Sequence, residues 1–147
     1  MFDKILVVCV GNICRSPVGE YLLKARLPAR DIASAGVGAL VGHPADAQAL
    51  AAAAPYGIDL TPHQARQLTD EMCRRYDLIL VMERKLIEAV CAVSPAARSK
   101  TMLFGQWLAQ GDKDIADPYR QSDDVFRITC QRLAQAADLW ANKLKKS

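Results

Sequence analysis

Two runs of residues constrain what this chain can fold into. Ile5-Leu6-Val7-Val8 and Leu78-Ile79-Leu80-Val81-Met82 are continuously apolar, with no alternation. A strand with one face in water alternates, so an unbroken run implies a strand buried on both faces. Such strands need helices above and below them, and the rest of the chain supplies helical patterns between them. The reading is strand Lys4–Val8, helix Pro17–Leu27, strand Asp31–Ala35, helix Ala45–Ala54, helix Asp70–Arg75, strand Asp77–Met82, helix Arg84–Ala92, strand Thr101–Phe104 and helix Asp123–Lys143. Val18, Tyr21, Leu22 and Ala25 share one face of the first helix. Phe126, Cys130, Leu133, Ala137, Trp140 and Leu144 make the stripe of the last, with Ser122 as its cap. Strands alternating with helices predict an α/β fold: one doubly wound domain over 1–147, a four-stranded parallel sheet with helices on both faces, flavodoxin-like.

In such sheets ligands bind beyond the C-terminal strand ends. The first strand leads there into Cys9-Val10-Gly11-Asn12-Ile13-Cys14-Arg15-Ser16-Pro17. Ser16 is expected to cap the following helix, with Pro17 at its first position. A loop between a strand and a helix N-terminus can aim several backbone N–H groups at one anion. Gly11 and Asn12 are the residue types that most readily accept the positive φ of a tight anion nest. Arg15 has the wrong sign for a helix N-terminus unless an anion sits there, and its planar fork matches phosphate oxygens. The same field favours a thiolate at Cys9. The segment therefore offers an oxyanion cradle and a nucleophile aimed at its centre. Cys-x5-Arg alone is a weak signal; the strand, Gly-Asn and Ser-Pro around it raise it.

Composition excludes several classes. The net charge is +3 and the basic residues are interleaved with acids, which argues against a nucleic-acid partner. No stretch has the length of a membrane span, and the first residues lack a signal-peptide pattern, so the expected location is cytoplasmic. The tail Lys143-Leu144-Lys145-Lys146 suits a helix C-terminus. The five cysteines have no metal-ligand spacing and read as free thiols, one of them reactive, with Cys73, Cys91 and Cys130 on helix faces. No metal or organic cofactor is implied.

Cys9 to Pro17 resembles the signature of the low-molecular-weight protein tyrosine phosphatases. Ser34-Ala35-Gly36, His63-Gln64-Ala65-Arg66-Gln67 and Asp117-Pro118-Tyr119 extend the resemblance along essentially the whole chain. It implies Cys9 as nucleophile forming a phosphocysteine, with Arg15 and the amides of Val10, Gly11, Asn12, Ile13 and Cys14 holding phosphate oxygens. Ser16 would stabilise the Cys9 thiolate. Asp117 would be general acid and then base, in a 17-residue segment (Gly105 to Gln121) that no helix or strand pattern claims. Asp112 and Asp114 are competitors for that role. Tyr119 would form one cleft wall and Leu40 the other, in the apolar loop Val37–Gly42. Arg120 stands where many eukaryotic relatives carry a second Tyr, and would suit an acidic residue near the phosphotyrosine. His63 is expected to support the loop through Asn12, with Ser34 beside it, while His43 is left on the surface. Cys14 could close a protective disulfide with Cys9.

Asp117 to Ser122 and the length look like the bacterial type associated with exopolysaccharide and capsule export. The implied partner is a tyrosine autokinase with a tyrosine-rich tail. The alternative is an arsenate reductase on the same fold, which needs a relay of two further cysteines close together in a mobile segment. Cys73 and Cys91 lie 18 residues apart, each in a helical pattern, which argues against it.

Overall fold

Lys4–Cys9 (β1), Asp31–Gly36 (β2), Leu78–Val81 (β3) and Thr101–Leu103 (β4) form one parallel sheet in the order β2-β1-β3-β4. The computed structural model describes residues 2–145, so the Lys146 end of the basic tail lies outside the described residues. Val8 of β1 pairs with Ala35 of β2 on one side and Val81 of β3 on the other. Ile5 to Val8 and Ile79 to Met82 are wholly shielded from water, as their unbroken apolarity requires. The helices are Arg15–Arg26 (α1), Ala47–Ala53 (α2), Asp70–Arg75 (α3), Arg84–Val93 (α4) and Asp123–Lys145 (α5). Helix α5 packs on α1 and α2, and α4 packs on β3 and β4. Its expected stripe from Phe126 to Leu144 is buried, and the Ser122 hydroxyl accepts from Val125 N as the cap should. Trp140 donates its indole N–H to Leu103 O and meets Trp107 edge-on, which fastens α5 to the end of β4.

Several boundaries differ from the expectation, each for a local reason. Helix α2 starts at Ala47 because Asp46 caps it, accepting from Gln48 N. It stops at Ala53, where Ala54–Tyr56 tighten into a 3-10 turn closed by Gly57 at φ 76°. A second 3-10 segment, Pro95–Lys100, follows α4 and has no apolar periodicity to reveal it. On α1, Leu23 rather than Ala25 joins the core. The largest difference is at the start of α1. The helix begins at Arg15, Cys14 precedes it with no side-chain cap, and Pro17 is its third residue. Pro17 is tolerated there because the first four N–H groups of a helix have no partner inside it. Ser16 is therefore not the cap, and its hydroxyl is committed elsewhere.

The strand order runs one way from β1 to β2 and the other way from β1 to β3. That reversal is a topological switch point, and the crevice it opens lies at the end of β1. Cys9 is the last residue of β1.

Candidate active site

The loop from Cys9 to Arg15 is held by its carbonyls. Cys9 O accepts from Val37 N, Val10 O from Gly38 N, Gly11 O from Leu40 N and Ile13 O from Asp46 N. Asn12 O is bonded by His63 Nε2 at 2.6 Å, so that nitrogen carries the proton. A peptide unit that turns its carbonyl outward turns its N–H inward. Five consecutive carbonyls bonded to the surroundings therefore leave the loop's amides aimed at the cleft, as an anion nest requires. Asn12 takes φ 59°, the left-handed conformation foreseen for it, and is fully buried, whereas Gly11, for which the same was foreseen, keeps out of that region because the nest turns at Asn12.

Under the loop runs a chain of side-chain hydrogen bonds. Asn12 Nδ2 donates to Ser16 Oγ at 2.8 Å and to Ser34 Oγ at 3.0 Å. Asn12 Oδ1 accepts from Arg66 N. Ser34 donates onward to Glu20 at 2.6 Å, and Glu20 pairs with Lys24. Ser16 Oγ lies 2.8 Å from Cys9 Sγ. Asn12 takes one acceptor site of Ser16 and leaves its hydrogen free for the sulfur, and a Cys9 thiolate, which can only accept, fixes Ser16 as the donor. That direction stabilises a thiolate, and it explains why Ser16 caps nothing.

Arg15 is 1% exposed, yet charged. One terminal nitrogen, Nη1, donates to Glu83 Oε1 at 2.6 Å and to Ile115 O at 2.7 Å, which accounts for both its protons. Nη2 lies 3.9 Å from Asp117 Oδ2 across the cleft. The guanidinium is thus clamped along one edge, leaving the other for an oxyanion. Glu83 was not anticipated from the sequence. Its signal was available: a carboxylate directly after the buried run of β3, on the sheet edge that carries Cys9.

Asp117 is the exposed carboxylate of the rim, its Oδ1 accepting from Tyr119 N in a tight turn. Its two competitors have structural work. Asp114 accepts from Arg84 N at the start of α4, and Asp112 accepts from Asp114 N. That backbone bond, then Arg84 and Arg132, hold Asp112 below the usual carboxylate range, so it stays ionised. Ile115 N donates to Met82 O, which brings the whole segment alongside β3 and sets Asp117 over the cleft.

The cleft has a volume of about 190 Å³. Cys9, Val10, Gly11, Ile13, Cys14 and Arg15 floor it, Leu40 and Gly38 form one wall, and Asp117 and Tyr119 the other. Asn12, Ser16, Ser34 and His63 sit behind the floor rather than in it. Gln67, which the sequence placed in the His63–Gln67 motif without a role, ties the Leu40 wall: it accepts from Ala39 N and donates to Val37 O. His43 is exposed, as expected. Cys14 is buried, and that burial, then Asp46, Asp117 and the Cys9 sulfur, push its thiol well up, against Arg15. Cys73 and Cys91 are buried within α3 and α4, which gives an arsenate relay no exposed pair.

Residues 4–147 match the family model described as low molecular weight phosphotyrosine protein phosphatase. The chain belongs to that family.

The phosphatase Etp of Escherichia coli K12, a low molecular weight protein-tyrosine-phosphatase, is 54% identical over 145 residues, covering 99% of this chain and 97% of Etp. Wzb of Salmonella typhi, named likewise, is 50% identical, over 98% and 95% of the two chains. The crystal structure of the tyrosine phosphatase AmsI of Erwinia amylovora superposes with a TM-score of 0.94 at 54% identity, covering 97% of this chain and 93% of AmsI. Wzb of Escherichia coli K30, solved with sulphate, gives 0.95 at 52%, covering 98% and 99%. This phosphatase is accordingly a protein-tyrosine-phosphatase with the flavodoxin-like fold of its family. No helix among its described residues is long and apolar enough to cross a membrane.

Proposed function

We propose that the phosphatase hydrolyses phosphotyrosine through a phosphocysteine on Cys9. The observation that carries this reading is the convergence of three groups on one cleft: the Cys9 sulfur with a hydroxyl pointed at it, the clamped Arg15 guanidinium, and the Asp117 carboxyl opposite. The Cys9 thiolate attacks phosphorus and the bond to the phenolic oxygen breaks. Asp117 delivers its proton to that oxygen, so tyrosine leaves neutral. The loop amides and the free edge of Arg15 hold the equatorial oxygens as charge shifts between them. Water then attacks the phosphocysteine while Asp117 takes its proton. The sulfur–phosphorus bond breaks, Cys9 departs as a thiolate steadied by Ser16, and inorganic phosphate is released. Tyr119 and Leu40 form a slot that accepts a flat aryl ester. A Wzb of Vibrio vulnificus has been solved with benzylphosphonate, in which a methylene joins a flat aromatic ring to the phosphonate.

Its substrate, in this reading, is the tyrosine-rich tail of a bacterial tyrosine autokinase serving exopolysaccharide export, and the phosphatase acts on it in the cytoplasm with no metal or organic cofactor. Cys14 supplies protection: peroxide oxidises Cys9 to a sulfenic acid, and the Cys14 sulfur displaces water to close a disulfide.

The deciding experiment is phosphate release from a phosphotyrosine peptide beside a phosphoserine peptide, without metal. Release from phosphotyrosine alone, abolished in Cys9→Ser with peptide binding retained, is expected. Activity surviving in Cys9→Ser would remove Cys9 from the mechanism. Asp117→Asn is expected to slow alkyl-like leaving groups steeply and activated ones much less; a uniform small loss would leave Asp117 as a turn residue only.

A further inference from the structure

Arg120 is at odds with its surroundings in two ways. Pro118 to Gln121 make a tight turn, closed by Gln121 N donating to Pro118 O. Arg120 occupies its third position at φ 65°, where glycine or asparagine is the unstrained choice. The turn is pinned from α2, since Gln48 Nε2 donates to Gln121 O and to Asp123. Strain over-determined in this way at the lip of a cleft points to a function for the strained residue.

The second oddity is chemical. Among the described residues the other ten arginines all have an oxygen partner. Arg15, Arg26, Arg74, Arg75, Arg84, Arg98 and Arg127 pair with carboxylates. Arg30, Arg66 and Arg132 donate to carbonyls. Arg120 has only the face of Tyr119, with its guanidinium carbon 5.2 Å from the ring centroid. Stacking orients the fork and leaves its N–H edge for another group. Tyr119 lines the cleft, so the fork stands one ring away from the place of a bound phosphotyrosine. An extended peptide advances about 3.3 Å per residue, which puts the side chains one or two positions from the phosphotyrosine within its reach.

We infer that Arg120, braced on Tyr119, is a specificity residue that reads an anionic side chain flanking the phosphotyrosine of the substrate. The anion is a carboxylate or the phosphate of a neighbouring phosphotyrosine, which present the same oxygens to a guanidinium. The inference rests on the cleft taking phosphotyrosine, as proposed above.

The test is kcat/KM on a set of phosphotyrosine peptides. One arm places Glu or Gln at each position from two before to two after the phosphotyrosine. The other places phosphotyrosine or tyrosine there. Arg120→Gly removes the side chain and relieves the backbone, so folding is not at risk; Arg120→Lys keeps the charge but not the fork. The expected result is a preference of about two- to fivefold for the anionic peptide at one or more positions, the range of an exposed ion pair. It falls to one in Arg120→Gly, survives in part in Arg120→Lys, and shrinks in high salt. A gain in one arm alone identifies the source of the anion. Equal rates on charged and neutral peptides, or a preference that persists in Arg120→Gly, overturns the inference. Failure to turn over any phosphotyrosine peptide is instead the failure of the reading beneath it.

Discussion

At the scale of single residues, the chemistry depends on groups whose hydrogen-bonding capacity is filled from behind. Arg15 is buried, so its charge needs an internal partner, and Glu83 provides it at 2.6 Å. Glu83→Gln keeps the shape and removes the charge. The expected outcome is a tenfold or greater fall in kcat/KM and weaker competition by inorganic phosphate, with Glu83→Asp recovering part of both. Steady-state inhibition by phosphate across the three proteins checks it. Ser16→Ala takes away the one hydroxyl aimed at Cys9. A hydrogen bond to a charged group is worth about 1.5–3 kcal/mol, so a kcat at least about tenfold lower is expected. A normal kcat in Ser16→Ala would mean that the sulfur is stabilised by the loop amides alone. Cys9 and Arg15 could be placed on one loop from the sequence because their spacing and context are local, whereas local pattern left Asp117 in competition with Asp112 and Asp114. Glu83 was not legible, because its partner lies 68 positions away and carboxylates that begin helices are commonplace.

At the scale of elements, the loop between Cys9 and Arg15 has no regular structure of its own and takes its shape from four neighbours. The segment after β2 and the segment around His63 bond its carbonyls, and Ser34 of β2 and Ser16 of α1 hold Asn12 beneath it. Gly36 is where the fit is tightest. A Cβ there would lie 2.3 Å from Val10 O and 3.1 Å from Asn12 N. Backbone on both sides cannot yield without moving the loop. Gly36→Ala is therefore expected to lower stability by about 2–4 kcal/mol and to abolish most turnover, measured by urea unfolding and initial rates on one preparation. Turnover lost without loss of stability would show that the loop moves while the sheet stands. The sequence reading placed Gly36 in a family motif but had no physical reason for it, since the close approach exists only once β2 lies beside β1. The misreading of Ser16 has the same origin. Before a proline, a serine reads as a helix cap; the family resemblance offered the Cys9 sulfur instead, and only the folded loop reveals the Asn12 amide that also claims its hydroxyl.

For the whole molecule, burial has a consequence at high pH. Cys130, on the face of α5 packed into the core, is 2% exposed, and burial pushes its thiol from 9.0 up to about 11. Between those values the unfolded chain has released a proton that the folded chain keeps. Stability from this group is thus complete below pH 9 and is lost as pH rises toward about 11. At pH 10.5 the expected loss is about 2 kcal/mol. Urea midpoints at pH 8.5 and 10.5 should fall further apart in the wild type than in Cys130→Ala; equal differences would show that other groups govern the alkaline limit. The apolar runs, the helical stripes and the turn residues determined that this chain would build a four-stranded parallel sheet wrapped in helices, because those signals are short-range and act wherever the chain goes. They also placed a thiol, an arginine and an amide-rich loop at the end of its first strand. The tertiary structure alone decided which of three aspartates stands over the cleft, which carboxylate clamps Arg15, and which arginine is left without an oxygen. Each of those is settled by what another part of the chain brings within about 3 Å, and a hydrogen bond exists only at that range.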